Sequence, residues 1–94
     1  MFSYYVSLGN AYEHTHQLGE SIRAYQEAYI YNRQDILLYK LARNYDTYYA
    51  DKRTAIWYYQ KFLDQSAADN PYATYATRRI SELSEYLHEI DTLN

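Results

Sequence analysis

Three histidines are the first residues in the sequence whose chemistry suggests a metal site. His14 and His16 lie two residues apart, and His88 lies far along the chain. On an α-helix, residues two apart point about 200° away from each other, so these two rings cannot share one ion while the helix continues. We therefore expect surface histidines near a helix end and no metal site.

A row of carboxylates is the second group with a spacing that suits chemistry. Glu82, Glu85 and Glu89 are spaced to share one face of a helix, as a pair for acid–base catalysis would be. They also alternate with an apolar stripe in the way that a solvated helix face does. The sequence has no cysteine, no glycine-rich phosphate loop and no nucleophile motif. We expect no catalytic residue, no cofactor and no enzymatic activity.

Tyrosine is the most unusual part of the composition, with 15 in 94 residues. Residues 44–60, NYDTYYADKRTAIWYYQ, hold five of these tyrosines and a tryptophan. Such rings could stack on nucleic acid or sugar, or they could pack the interior of the fold. A net charge of -3 disfavours nucleic acid, whereas a sugar ligand stays open as a less favoured alternative. No run of residues is long and apolar enough to predict a membrane span.

The sequence contains an internal repeat of about 34 residues. At an offset of 33, Tyr5, Leu8, Gly9 and Tyr12 align with Leu38, Leu41, Ala42 and Tyr45. At an offset of 34, Ser21, Ile22, Tyr25, Gln26 and Ala28 align with Ala55, Ile56, Tyr59, Gln60 and Phe62. The change of one residue falls between the two blocks, where a turn would absorb it. Tyr45 and Tyr59 thus recur as Tyr12 and Tyr25, which predicts that they are packing rings of a helix pair.

Apolar spacing predicts two helices in each unit and a fifth helix after them. Because the chain has only two glycines and one proline, an all-α fold with short loops is favoured over a β-sandwich. We predict an all-α solenoid of antiparallel helix pairs, a single domain over 1–94 with five helices. Its parts are repeat one at about 2–34, repeat two at about 35–69 and a capping helix at about 70–91.

Five positions carry the signals expected where helices begin or end. Asp35 and Asp51 are candidate N-cap carboxylates for the third and fourth helices. Asn70 followed by Pro71 predicts a cap and the first residue of the fifth helix. Gly19 is expected to break the first helix pair.

The repeat resembles the tetratricopeptide repeat family, whose signature is a large residue, then Leu-Gly, then Tyr, with later small, aromatic and small positions. The first unit supplies Tyr5, Leu8, Gly9, Tyr12, Ser21, Tyr25 and Ala28; the second supplies Leu38 or Tyr39, Leu41, Ala42, Tyr45, Ala55, Tyr59 and Phe62. Ala42 stands where the family has glycine, Phe62 replaces a small residue, and the last loop is longer than the family norm. The resemblance covers about residues 2–91, and the chain is similar in style to such repeats in proteins of Bacteroidetes bacteria.

The resemblance implies a non-catalytic scaffold that binds a segment of another protein in the groove lined by the first helix of each pair. By helical phase, the groove-facing residues are Ser3, Val6, Asn10, Glu13, His14, Tyr39, Lys40, Arg43, Asp46 and Thr47. We expect the partner-binding residues to be Asn10, Glu13, His14, Tyr39, Lys40, Arg43 and Asp46. Lys40 and Arg43 would offer charge to a carboxylate or a backbone carbonyl of the protein or peptide partner. One subgroup of the family clamps C-terminal carboxylates, but only Asn10 matches that clamp, and Val6 stands where its first lysine would be.

Trp57 and Tyr58 have no aromatic counterpart in the first unit, where Arg23 and Ala24 align with them. Those positions belong on the outer face of the second helix of a pair, so two rings there would form an apolar patch of the kind found at interfaces. The patch predicts contact with a second copy or with neighbouring repeats, unless side chains such as Lys61 shield it. A structural spacer or self-association unit of a larger repeat protein is therefore the alternative function. The faces of the tyrosines at 48 and 49, the partner's identity and the cell compartment are not indicated.

Overall fold

The computed structural model describes residues 1–93 and consists of five α-helices, with no β-strand among those residues. The helices are α1 (Phe2–His14), α2 (Leu18–Tyr31), α3 (Asp35–Tyr48), α4 (Arg53–Gln65) and α5 (Ala73–Leu93). Each helix packs against the next in chain order, in a body of 45 × 30 × 20 Å. The prediction of an all-α fold with five helices in sequential antiparallel packing is confirmed.

The limits of the helices follow the internal repeat. α1 and α3 begin 33 residues apart, and α2 and α4 end 34 residues apart. The α3–α4 loop at 49–52 is one residue longer than the α1–α2 loop at 15–17, and α3 is one residue longer than α1. The change of offset therefore falls between the last turn of α3 and the start of α4.

The starts of α3 and α4 are each displaced by one residue from the predicted caps. Asp35 is itself the first residue of α3, where a negative charge interacts favourably with the helix N-terminus. Asp51 precedes the N-cap Lys52, yet its Oδ1 still accepts a hydrogen bond from the backbone N–H of Arg53 at 3.1 Å. That bond lowers the pKa of the Asp51 carboxyl. The Asp51 carboxylate therefore satisfies a backbone N–H at the N-terminus of α4, although Asp51 lies one residue before the N-cap.

α5 begins at Ala73, two residues later than predicted. The side chain of Asn70 accepts a hydrogen bond from the N–H of Tyr72 at 2.9 Å, and its carbonyl accepts one from Ala73 at 3.0 Å. These bonds close a turn that contains Pro71, so the proline lies in the turn and not at the first helical position. α5 extends to Leu93, two residues beyond the predicted end.

The α1–α2 turn is closed by His16, and the prediction that Gly19 breaks the helix pair is wrong. His16 has a φ of 60°, and its N–H donates to the carbonyl of Glu13 at 3.0 Å. The next N–H donates to the carbonyl of Tyr12 at 2.8 Å. This is the Schellman pattern, which ends a helix with one residue in the left-handed conformation. Gly19 is the second residue of α2.

Two tyrosines related by the repeat form the centres of the helix pairs. Tyr25 and Tyr59 are both fully buried, which confirms their prediction as packing rings. Gly9 of α1 lies directly against the first of these rings, since a Cβ built on it would stand 2.5 Å from the Tyr25 Cε1. Only glycine permits so close an approach of the α1 backbone. Ala42, its repeat counterpart, is fully buried as well.

Candidate functional site

A cleft of about 380 Å³ opens between α1 and α3, with Tyr72 at its edge. Its lining mixes charged, polar and apolar side chains: Glu13, His16, Leu18, Ile36, Tyr39, Lys40, Arg43, Asn44, Thr47 and Tyr72. Four of the seven predicted partner-binding residues meet here: Glu13, Tyr39, Lys40 and Arg43. The other three, Asn10, His14 and Asp46, lie outside the lining.

Two cations of α3 reach this cleft without a carboxylate partner. The Lys40 Nζ lies 5.6 Å from the centroid of the Tyr25 ring, and the Arg43 Cζ lies 5.3 Å from that of Tyr75. Neither cation forms an ion pair with any residue that the structure describes. Partial burial works against the charge of Arg43, but its hydrogen bond to the Tyr39 hydroxyl and the tyrosines around it raise its pKa overall. The two basic groups therefore lie against aromatic rings and have no carboxylate partner among the described residues.

Among the residues that line the cleft in the described part of the chain, Glu13 of α1 is the one carboxylate. It lies next to a buried polar network. The Asn44 Nδ2 is 3.5 Å from the Glu13 Oε1 and donates to the Ser21 Oγ at 3.0 Å. The Ser21 hydroxyl donates in turn to the carbonyl of Gly9 at 2.8 Å. These bonds join α1, α2 and α3. Because a fully satisfied buried network is rigid, the cleft has a fixed floor.

Asn10 and His14 lie near the cleft but make bonds within the protein. The Asn10 Oδ1 accepts a hydrogen bond from the Tyr25 hydroxyl at 2.5 Å and so fixes the ring that underlies Lys40. Burial and the neighbouring Glu13 carboxylate raise the pKa of Tyr25 above its ordinary value. His14 is exposed at the end of α1, with its Nδ1 2.8 Å from the Asn10 carbonyl oxygen. Direct binding of a partner by these two residues stays a prediction.

Asp46 is occupied by an ion-pair cluster that joins three helices. Its two carboxylate oxygens accept hydrogen bonds from the Arg79 Nε and Nη2 at 2.9 and 2.8 Å. The Tyr59 hydroxyl donates to the Oδ2 at 3.0 Å, and the Lys52 Nζ lies 3.9 Å from the Oδ1. The bonds to Asp46 outweigh partial burial and raise the pKa of Arg79, whereas burial and then Asp46 raise that of Tyr59. Asp46 therefore packs α3 against α4 and α5, and direct binding of a partner by Asp46 stays a prediction.

Sequence reasoning missed five residues of the cleft: His16, Leu18, Ile36, Asn44 and Tyr72. Tyr72 stacks on Tyr39 with their ring centroids 4.6 Å apart, which gives the cleft an aromatic edge. Asn44 lies one helical turn after Lys40, a spacing that places both on neighbouring parts of α3 and could have indicated it. No such signal marked Tyr72, because the position of its ring depends on the path of the turn before α5.

The outer face of the molecule has a second, more apolar groove of about 320 Å³ between α2 and α4. Trp57 and Ile30 line it and are 52% and 69% exposed. The Lys61 Nζ lies 5.4 Å from the centroid of the Trp57 ring, so this cation shields part of the indole. Contact of Trp57 with another protein stays a prediction.

Tyr58 also lines this outer groove but is less exposed than Trp57, and its contact with another protein likewise stays a prediction. Its ring is half-buried and stacks on Tyr45 with the centroids 5.2 Å apart, and its hydroxyl accepts a hydrogen bond from Gln26 at 3.3 Å. Its repeat counterpart, Ala24, is buried too. Adjacent helical residues point about 100° apart, so one of the two rings can face solvent while the other packs between helices.

Tyr48 and Tyr49 extend this row of rings towards the α3–α4 loop. Tyr49 stacks on Tyr45 at 5.1 Å, and Tyr48 meets Tyr49 edge-on at 4.7 Å. Both are exposed. The aromatic residues of 44–60 therefore form packing rings and a surface row, and not one enclosed aromatic pocket.

Within residues 1–93, no three His, Cys, Asp or Glu side chains are grouped so that they could hold a metal ion. None of the five helices is both long enough and apolar enough to cross a membrane. Comparison with family models, with curated proteins and with solved structures finds no match for this chain.

Proposed function

We propose that the chain is a tetratricopeptide-type interaction module without catalytic activity, and that it binds an acidic segment of a protein partner in the cleft between α1 and α3. Helix pairs that recur at offsets of 33 and 34 residues support the family assignment. The close contact of Gly9 with Tyr25 supports it too, because these positions correspond to the glycine and the later aromatic residue of the family signature.

The observation that carries the proposed ligand is the pair of cations without carboxylate partners. Four other basic residues pair with carboxylates inside the chain: Arg23, Lys52, Arg53 and Arg79. Five basic residues have no such partner among the described residues: Arg33, Lys40, Arg43, Lys61 and Arg78. Of these, only Lys40 and Arg43 line the cleft, in a chain whose net charge is -3. Carboxylates are the ligands that best complement an ammonium and a guanidinium group at close range. The cleft therefore favours a partner whose charge is opposite to that of these two cations.

The aromatic edge of the cleft specifies a second feature of the ligand. The Tyr39 and Tyr72 rings form a stacked pair beside the two cations. Tyrosine rings contribute apolar contact area with little loss of side-chain entropy. We therefore propose a segment with one or more Asp or Glu side chains, or a C-terminal carboxylate, next to an apolar or aromatic side chain.

Fluorescence anisotropy with labelled peptides tests this proposal. The probes are an acidic peptide library with aromatic residues and a matched library in which Gln and Asn replace Glu and Asp. We expect the acidic peptides to bind more tightly, with affinity falling as salt screens the charges. The Lys40→Glu and Arg43→Glu double variant should lose at least about tenfold in affinity, since charge-assisted bonds contribute about 1.5–3 kcal/mol each.

The matched control is the Arg33→Glu and Lys61→Glu double variant. It makes the same change of net charge at two cations that have no ion pair among the described residues and do not line the cleft. Its affinity should stay within about twofold of the parent protein, because distant surface charges are screened. Equal loss in both variants, or equal binding of acidic and amide peptides, would contradict the proposed cleft.

A further inference from the structure

The outer side of α1 is an apolar helix face that the described part of the chain leaves partly uncovered: Tyr4 and Ala11 are exposed, and Leu8 and Tyr12 are half-buried. α1 packs chiefly against α2, whereas α3 has α2 on one side and α4 on the other. Tyr4, Leu8, Ala11 and Tyr12 follow one another at the spacing of a single helix face. Tyr4 is 58% exposed, and residues 1–12 contain no charged side chain. A large apolar surface without charge is what a protein presents to a partner and not to water.

The internal repeat shows what covers this face in the second helix pair. At the offset of 33, Tyr4, Leu8 and Tyr12 correspond to Leu37, Leu41 and Tyr45. Leu37 and Leu41 are each 1% exposed, since they form a core cluster with Ile22 and Ala28 of α2. The Tyr45 hydroxyl accepts a hydrogen bond from Gln26 of α2 at 3.2 Å. Positions that are exposed at Tyr4 and half-buried at Leu8 and Tyr12 on α1 thus lie in a helix–helix interface on α3.

The other end of the stack is built differently. The exposed side of α5 is strongly charged, with Arg78, Glu82, Glu85 and Glu89. A helix that closes a repeat stack needs such a polar outer face. α5 has one and α1 does not. The outer face of α5 is therefore suited to contact with water, whereas that of α1 is suited to contact with another apolar surface.

From this difference we propose that α1 docks a further helix pair of the same repeat type, whose second helix packs on Tyr4, Leu8 and Tyr12 as α2 packs on α3. The docking helix would present an aliphatic residue, a small residue and a glutamine at the positions of Ile22, Ala28 and Gln26. A second copy stacked head to tail does not fit, because it would place the charges of its α5 on this face. The surface is separate from the ligand cleft, since Tyr4 points about 180° away from Glu13 on α1.

A fusion protein tests the docking surface directly. A copy of residues 1–33 is joined to the N-terminus of the full chain, so that the copied α2 precedes the original α1 with the spacing that α2 has to α3. We expect one cooperative unfolding transition and a melting temperature at least about 5 °C above that of the parent chain, because about 1 kcal/mol shifts a domain of this size by roughly 4–8 °C.

The Tyr4→Glu substitution at two places supplies a matched control. In the original α1 of the fusion, where the side chain would be buried, it should abolish the gain in melting temperature. In the copied α1, which forms the new open end, the gain should remain. No gain on fusion, or equal losses at both places, overturns the proposal. A concentration-dependent dimer of the parent chain in sedimentation, lost on Tyr4→Glu, would also overturn it in favour of a second copy as the occupant.

Discussion

At Gly9, a hydrogen atom in place of a methyl group decides how closely α1 approaches the Tyr25 ring. The ring is fully buried and has no room to move away from a Cβ at 2.5 Å. Gly19 offers a contrast within the same helix pair. A Cβ there would stand 3.3 Å from the Tyr48 hydroxyl, which is the end of an exposed and flexible side chain. The two glycines of the chain thus have different reasons to be small.

We expect Gly9→Ala to lower the free energy of unfolding by about 1–3 kcal/mol, the usual cost of forcing extra volume into a packed interior. Gly19→Ala should be neutral or raise it by up to about 1 kcal/mol, because alanine favours the helix and Tyr48 can shift. Urea unfolding followed by circular dichroism measures both. A Gly9→Ala variant as stable as the parent would show that α1 and α2 are not held at this distance.

The packing of α5 against the second helix pair depends on a polar contact between elements. Asp46 of α3 and Arg79 of α5 form a two-point ion pair whose side chains are 11% and 25% exposed. Arg79 also pairs with Glu82 within α5, but that carboxylate is 52% exposed. Ion pairs lose most of their strength as solvent reaches them, so the first contact is expected to matter more.

We expect Asp46→Asn to destabilise the fold by about 1–2 kcal/mol, because it weakens charged bonds from Arg79 and leaves this cation partly buried. Glu82→Gln removes the exposed pair on the same arginine and should cost less than about 0.5 kcal/mol. Hydrogen exchange of the α5 amides, measured by mass spectrometry, should accelerate in the first variant ahead of those in α2. Equal effects of the two substitutions would contradict this assignment of Asp46.

The whole molecule is an elongated stack in which each helix meets its neighbours in sequence. Its interior is tyrosine-rich, and four of these phenols are distributed over both helix pairs with a raised pKa: Tyr5, Tyr25, Tyr45 and Tyr59. In each case burial is the main cause, since it penalises the phenolate. Alkaline stability is therefore a property of the molecule and not of one site.

We expect the free energy of unfolding to be constant up to about pH 9 and to fall as the pH rises through 10.0, the ordinary pKa of tyrosine. The unfolded chain ionises there, while the folded chain keeps Tyr5, Tyr25, Tyr45 and Tyr59 protonated to higher pH, so the unfolded state binds fewer protons and gains in stability. Urea midpoints between about pH 8 and pH 11 measure the slope. Tyr59→Phe should start from a lower stability, because the bond to Asp46 is lost, but should show a shallower fall. A midpoint that does not change above pH 10 would argue against buried phenols.

Much of this architecture follows from local patterns in the sequence. The offsets of 33 and 34 residues predict the helix pairs, and the matched Tyr25 and Tyr59 predict the two ring centres, since helical periodicity acts over a few residues. Helix ends were less predictable. His16 closes α1 through its backbone conformation, a role that its side chain does not announce. The site was predicted in part: Lys40 and Arg43 reach the cleft as expected, whereas the aromatic edge from Tyr72 was not foreseen.

The sequence by itself determined the repeat, the all-α class, the order of the helices and the α1 face without charge. Helical periodicity depends on residues within one or two turns of each other, and the repeat is visible as matching residue types at a constant offset. Only the tertiary structure decided which charges remain without partners. Asp46 was predicted as a groove residue, and the fold brings Arg79, 33 residues away, to both of its carboxylate oxygens. Only the tertiary structure likewise showed that Tyr58 stacks on Tyr45 and is half-buried, whereas the neighbouring Trp57 is exposed. Contacts of this kind depend on how whole helices pack against each other, and the spacing of residues within one helix does not predict the distance between two helices.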